Sequence, residues 1–203
     1  MTTREIALTD VTVDFGDRVA LADVTCRLDE HRIAVIGANG SGKSTFARLL
    51  NGLDTPTAGS MSVHGLDPVR QGKQLRRTVG FVFTNPDAQI IMPTVAEDVA
   101  FSLRGRGLSK SEIADRVASV LAAHGLGDHA DAAAHSLSGG QKQLLALCSV
   151  LVTEPQLLVA DEPTTLLDAA NTRRIADLIA GLEQQVVLVT HNLRLAERCD
   201  IAL

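Results

Sequence analysis

The 203 residues amount to 21.5 kDa, enough to bury one sizeable core and near the upper limit of what a single core organises. Apolar residues make up 45% and charged residues 21%, and 19 Lys+Arg against 24 Asp+Glu leave a net charge of -5. With no Lys/Arg block the electrostatic footprint of a nucleic-acid binder is missing, and no nucleic-acid partner is expected.

In chain order, Met1 to Asp10 carries charges and alternation without an apolar signal segment. Ile6, Leu8, Val11 and Val13, then Val19, Leu21, Val24 and Leu28, follow a period of two around a turn at Asp14 to Arg18. That spacing predicts an antiparallel, half-exposed sheet. Ile33 to Ile36 is a continuous apolar run that leads through a Gly-rich turn into a helix over Ser44 to Asn51. Leu157 to Ala160 and Val186 to Val189 are further short, polar-flanked runs of the kind found in buried parallel strands. Between the run ending at Ile36 and the one beginning at Leu157, Thr94 with Glu97 and Ser109 with Glu112 each match a capping box, and Ile113, Val117, Val120 and Leu121 recur at helical spacing. The expectation is one α/β domain over 4–203, interrupted by a helical lobe at about 85–152. Ile201 to Leu203 reads as the beginning of another strand. The longest apolar run, Leu144 to Val152, is about half a bilayer span, so any membrane association is expected through a partner. Cys26, Cys148 and Cys199 are odd in number, widely spaced and without a CxxC pair, which argues against a disulfide framework or a zinc site.

Gly37-Ala38-Asn39-Gly40-Ser41-Gly42-Lys43-Ser44-Thr45 contains the pattern G-x-x-x-x-G-K-S/T between a predicted strand and a predicted helix. Such a turn lets backbone N–H groups converge on phosphate oxygens, and the helix N-terminus adds partial positive charge. Lys43 is expected to reach the β and γ phosphates and the Ser44 hydroxyl to ligate Mg²⁺. Leu137-Ser138-Gly139-Gly140-Gln141 is a second small-residue helix start suited to an anion. Asp161-Glu162 ends an apolar strand, where two adjacent carboxylates are costly unless a cation or a reaction needs them. His191 follows the last buried run.

This order of motifs resembles the ABC ATPases across essentially the whole chain. The resemblance implies a P-loop, RecA-like α/β core, an N-terminal antiparallel β lobe and an inserted helical lobe. It implies an ATPase with ATP and Mg²⁺ as cofactors. Phe15 falls where the family sets an aromatic ring against adenine, and Gly37 to Ser44 match the Walker A loop. Ser138, Gly139, Gly140 and Gln141 match the signature loop. Ser44 and Asp161 correspond to the Mg²⁺ ligands, Glu162 to the catalytic base, His191 to the switch histidine, and Leu167-Asp168 to the end of the D-loop. In the family the phosphate loop of one chain faces the signature loop of another, so a second ABC ATPase chain is implied, identical or paralogous.

Phe83 to Phe101, with Asn85-Pro86-Asp87, Gln89 and Pro93-Thr94-Val95-Ala96-Glu97-Asp98-Val99-Ala100-Phe101, is similar to energy-coupling-factor importers for vitamins, cobalt or nickel. Asp161 to Asp168 is most similar to the biotin-uptake ATPases. That likeness implies a transmembrane coupling subunit docked near 84–104, a substrate-binding membrane subunit, and a peripheral place on the cytoplasmic face of the membrane. Asp87, Glu97 and Asp98 are candidate docking contacts for basic residues of the membrane partner. Two positions depart from the family: Thr84 replaces the Q-loop glutamine, with Gln89 as a candidate substitute, and Leu144 replaces an arginine, a change expected to be absorbed by packing. The rival readings are a soluble ABC ATPase working on nucleic acid or ribosomes and a non-hydrolysing regulatory subunit. Against the first stand the missing coiled coil and the single ATPase domain, and against the second stands Glu162.

Overall fold

The computed structural model describes residues 4–203, which fall into two compact units. One takes the chain to Phe81 together with Gln156–Glu162 and Leu182–Leu203; the other takes Val82–Pro155 and Pro163–Gly181.

The first unit opens with β1 (Ile6–Asp14) and β2 (Val19–Leu28), paired antiparallel from Ile6↔Leu28 to Asp14↔Val19. Ile6, Leu8, Val11 and Val13 are buried, whereas β2 buries only Leu28, so the predicted half-exposed sheet forms. β3 (Arg32–Val35) then runs to the Gly-rich turn, and α1 (Lys43–Asn51) follows it with Phe46, Ala47, Leu49 and Leu50 buried. β4 (Ala58–Val63) adds a third strand on the other edge of β1. Its sequence, Ala-Gly-Ser-Met-Ser-Val, is too small and polar to announce a strand. α2 (Pro68–Thr78) starts at an Asp67 cap with proline in its first turn, and β5 (Val79–Val82) is buried throughout.

The second sheet of this unit has the order β5-β6-β7-β3-β8, with β6 (Leu157–Asp161), β7 (Gln185–Val189) and β8 (Ile201–Ala202) completing it. β6 with β7, β7 with β3 and β3 with β8 all pair in parallel. The apolar runs read from the sequence are its interior strands. Each buried Val, Leu or Ile side chain there contributes about 1.5–3 kcal/mol relative to exposure. α7 (Leu193–Ala196), capped by Asn192, leads into β8.

In the second unit, α3 (Val95–Phe101) and α4 (Lys110–Ala123) begin with the two predicted capping boxes. α5 (Gly139–Leu151) begins with a third, Ser138 and Gln141, and buries ten of its residues. Such a helix is a core element rather than a surface one. Leu144 is 1% exposed, so the departure at that position is absorbed by packing. α6 (Ala169–Ala180), which local patterning did not reveal, packs on α5 along with α3 and α4. Among the described residues no helix is long and apolar enough to cross a membrane.

One sequence expectation is corrected here. Asp98 is not a docking contact: it is 3% exposed and its carboxylate accepts from Ile91 N–H (2.9 Å), Met92 N–H (3.1 Å) and the Ser149 hydroxyl (2.8 Å). Glu97 closes the Thr94 cap, and Asp87 is paired with Lys142 at 2.7 Å. Asp98→Ala should therefore strand three donors and lower the unfolding free energy by about 2–4 kcal/mol in denaturant titration. Glu97→Ala, at the exposed cap, should cost only about 1 kcal/mol.

Candidate functional site

Val35 is the last residue of β3, and the chain then turns through glycines with positive φ: Gly37 (150°), Gly40 (80°) and Gly42 (94°). At Gly42 any Cβ would collide with the Ala20 carbonyl oxygen and the Leu21 side chain, so the loop lies hard against β2. Lys43 is buried, and its ammonium donates to the carbonyls of Gly37 (2.9 Å) and Ala38 (2.8 Å), closing the loop on itself. Ser44 and Thr45 continue into the first turn of α1, whose unpaired N–H groups give this end its positive character. The residues predicted from Gly37 to Thr45 thus form a glycine-bent turn, closed by Lys43, that opens α1.

Two other chain segments meet it. The Ser44 hydroxyl donates to Asp161 Oδ1 at 3.2 Å, joining the start of α1 to the end of β6. Burial pushes the Asp161 carboxyl above its ordinary range; the neighbouring Glu162 charge adds to this, while the Ser44 bond, Arg48 and Lys43 oppose it. Glu162 adopts φ 50°, unusual for a residue with a side chain, while its N–H still bonds the Val189 carbonyl at 2.9 Å. That turn brings its carboxylate 2.8 Å from Nδ1 of His191, which follows β7.

A cavity of about 310 Å³ opens over this arrangement, lined by the phosphate loop, Ser44, Thr45, Glu162, Arg18 and Arg48. The two arginines escaped sequence reasoning. Arg18 belongs to a hairpin turn whose reach is visible only after folding, and Arg48 lies one helical turn beyond Ser44. Phe15, on the same turn as Arg18, is 52% exposed and does not line the cavity.

The second unit carries the other anion-suited element. Ser138 caps α5, and its N–H donates to Gln141 Oε1 at 2.9 Å. A Cβ at Gly139 would meet nothing within 4 Å, so its backbone faces open space. At Gly140 a Cβ would collide with the Asn171 amide, which Asp168 holds by accepting from Asn171 N–H (2.8 Å) and Nδ2 (2.9 Å). Gly140 is thus required by close approach, and Asp168 serves as the cap of α6. Gln89, the candidate substitute for the Q-loop glutamine, has both ends of its amide engaged within its own unit. Its Oε1 accepts from Phe83 N–H (3.1 Å) and its Nε2 donates to the Ala146 carbonyl (3.2 Å), so both ends of the amide hold the 83–89 stretch to α5.

Residues 21–165 match the family model described as ABC transporter. A putative ABC transporter ATP-binding protein of Bartonella quintana is 52% identical over 190 residues, covering 94% of this chain and 84% of that protein. The biotin transport ATP-binding protein BioM of Rhizobium etli is 51% identical over 183 residues, covering 90% and 81%. Among solved structures, CbiO1 from Clostridium perfringens, part of the ABC transporter complex CbiONQ, matches with a TM-score of 0.86 at 31% identity. That match covers 97% of this chain and 82% of the other.

The raised Asp161 carboxyl has a consequence for stability. Because it holds its proton to higher pH in the folded chain than the ordinary 3.8, the folded state binds more protons above that value. Stability therefore falls as pH rises through the window from 3.8 up to the raised value, and the cost persists at neutral pH. Asp161→Asn should melt at a higher temperature than the parent near neutral pH without nucleotide, with the difference vanishing in acid. A variant that melts at or below the parent at neutral pH would show that Asp161 is not held there at a cost.

Proposed function

Because the chain belongs to the ABC transporter family, as an ATPase of its energy-coupling-factor type, we propose that it energises a membrane importer by hydrolysing ATP between two chains. The observation that carries this reading is the convergence, within one unit, of the Lys43 loop, the Ser44–Asp161 contact and the Glu162–His191 pair.

ATP binds with its phosphates in the cavity. Lys43 and the α1 N-terminus neutralise the β and γ phosphates, with Arg18 and Arg48 adding positive charge at the rim. Phe15 offers an exposed ring on the hairpin turn for the adenine. Ser44 Oγ and Asp161 Oδ1 are hard oxygen donors already in contact, and the Asp161 carboxylate is buried at a cost that a cation relieves; the donor set fits Mg²⁺. Ser44 and Asp161 are the side chains that would hold the ion. When bound, Mg²⁺ supplies charge compensation on the transferring phosphoryl group. Glu162 accepts a proton from the attacking water, and His191 orients that carboxylate through its 2.8 Å bond. Ser138, Gly139, Gly140 and Gln141 of a second copy or a paralogue close the far side of the nucleotide.

Transport requires membrane partners. A transmembrane coupling subunit and a substrate-binding membrane subunit would hold the chain at the cytoplasmic face as a peripheral component. The likeness to BioM favours biotin as cargo, with a transition metal ion as the runner-up. Co-purification with the native membrane complex, followed by identification of the bound small molecule, tests the cargo; a complex carrying neither a vitamin nor a metal ion would refute it.

Lys43→Ala should abolish productive nucleotide binding. Glu162→Gln should retain binding and lower turnover by about two to four orders of magnitude. ATP binding and phosphate release by the assembled complex measure both, and wild-type turnover in the Glu162 variant would remove it from the role of base.

A further inference from the structure

The amide of Gln141 is fixed at one end. Its Oε1 accepts from Ser138 N–H at 2.9 Å, and its own N–H donates to the Ser138 hydroxyl at 3.4 Å. Turning the amide over would set N–H against N–H and break the capping box. The other end, Nε2, therefore faces the 3-10 turn Gly127–His129, where it lies 3.1 Å from Nε2 of His129. An amide nitrogen can only donate, so this imidazole nitrogen has to accept, and His129 is the neutral tautomer with its proton on Nδ1. Imidazolium would present a second donor and lose the bond.

We propose that His129 is a positioning residue of the signature loop. In its neutral form it holds Gln141, and through it the Ser138–Gln141 start of α5, in the orientation that receives a nucleotide from a second chain. Protonation releases it. The claim about orientation rests on hydrogen-bond geometry in one unit; the nucleotide in it rests on the proposed function.

The charged and titratable groups of the elements neighbouring His129 include Arg174 of α6, whose guanidinium donates to the carbonyl of His124 at the end of α4. Asp128 and Asp131 stand on the same stretch as His129, and the start of α5 faces it. Lys142 is the one charged residue of α5 and is paired with Asp87. α3 meets the same stretch through backbone bonds from Val95 and Ala96 to Ala132 and Ala130. Of its two carboxylates, Glu97 closes the Thr94 cap and Asp98 is bonded inside to Ser149. α4 meets the turn with Ala122 against Gly127, and its charged residues, Lys110, Glu112, Asp115 and Arg116, lie in its first two turns. His135, on the neighbouring turn Ala134–Ser136, is exposed.

Two measurements on the full chain test this. Nitrogen chemical shifts of the His129 ring, assigned by comparison with His129→Gln, should show Nδ1 protonated and Nε2 bare near neutral pH; a protonated Nε2 overturns the proposal. ATP-driven association is then compared in chains made inert by Glu162→Gln. Between about pH 8 and about pH 6 the chain with His129 should lose roughly three- to tenfold more association than the chain with His129→Gln, whose carbonyl accepts without titrating. His129→Leu, with no acceptor, should associate weakly at both values, and the glutamine should rescue it. Equal pH dependence of the His129 and Gln chains, or undiminished association of the Leu chain, overturns the proposal. Absence of association in every chain at every pH overturns instead the two-chain nucleotide site on which the role rests, an outcome distinct from association that persists but ignores position 129.

Discussion

Parallel pairing of three buried strands in one register is what the geometry of the candidate site depends on. Val35 of β3 and Asp161 of β6 both stand level with Val189 of β7. The loops that leave the C-terminal ends of these strands consequently start side by side: the phosphate loop after β3, Glu162 after β6 and His191 after β7. A slip of one residue on β6 would turn Asp161 to the other face of the sheet and break its contact with Ser44. The hydrophobic runs that look like ordinary core are thus the ruler against which the polar groups are set.

What was legible in the sequence was whatever a residue needs from its near neighbours. The phosphate loop, the capping boxes at Thr94 and Ser109, and the all-apolar strands β3, β6 and β7 each impose their conformation locally. What escaped were features made by long-range packing. β4 is a strand because β1 offers it an edge, and Arg18 joins the phosphate cavity because the β1–β2 turn reaches it. Asp98 carried the same misdirection: an acidic residue beside Glu97 near a helix start reads as surface, yet its side chain points inward to two backbone N–H groups and Ser149. Gln89, read from the sequence as a candidate catalytic amide, brackets Phe83 to Ala146 through both ends of its side chain.

Those brackets give the second unit its character. Asp87 reaches Lys142, Gln89 reaches Ala146, and Asp98 ties Ile91 and Met92 to Ser149, so the 83–92 stretch is fastened along α5 over about two turns. The same helix begins with the Ser138 box and packs Gly140 on Asn171. Its ten buried residues make it the core of the unit, so the 83–92 stretch is fastened to that core.

Stability is given up where chemistry is placed. Glu162 sits at φ 50°, a conformation that costs a side-chain-bearing residue about 1–3 kcal/mol, and Asp161 is held where burial disfavours its charge. Arg18, Lys43 and Arg48 supply positive charge around the phosphate loop, but the Glu162 carboxylate lies in the same wall. A triphosphate brings more negative charge than those side chains leave over. Under the proposed function, a divalent cation at Ser44 and Asp161 and a further helix N-terminus would offset the remainder. In that reading the helix that begins at Ser138, with open backbone at Gly139, would be supplied from a second chain, and closure would depend on the nucleotide itself.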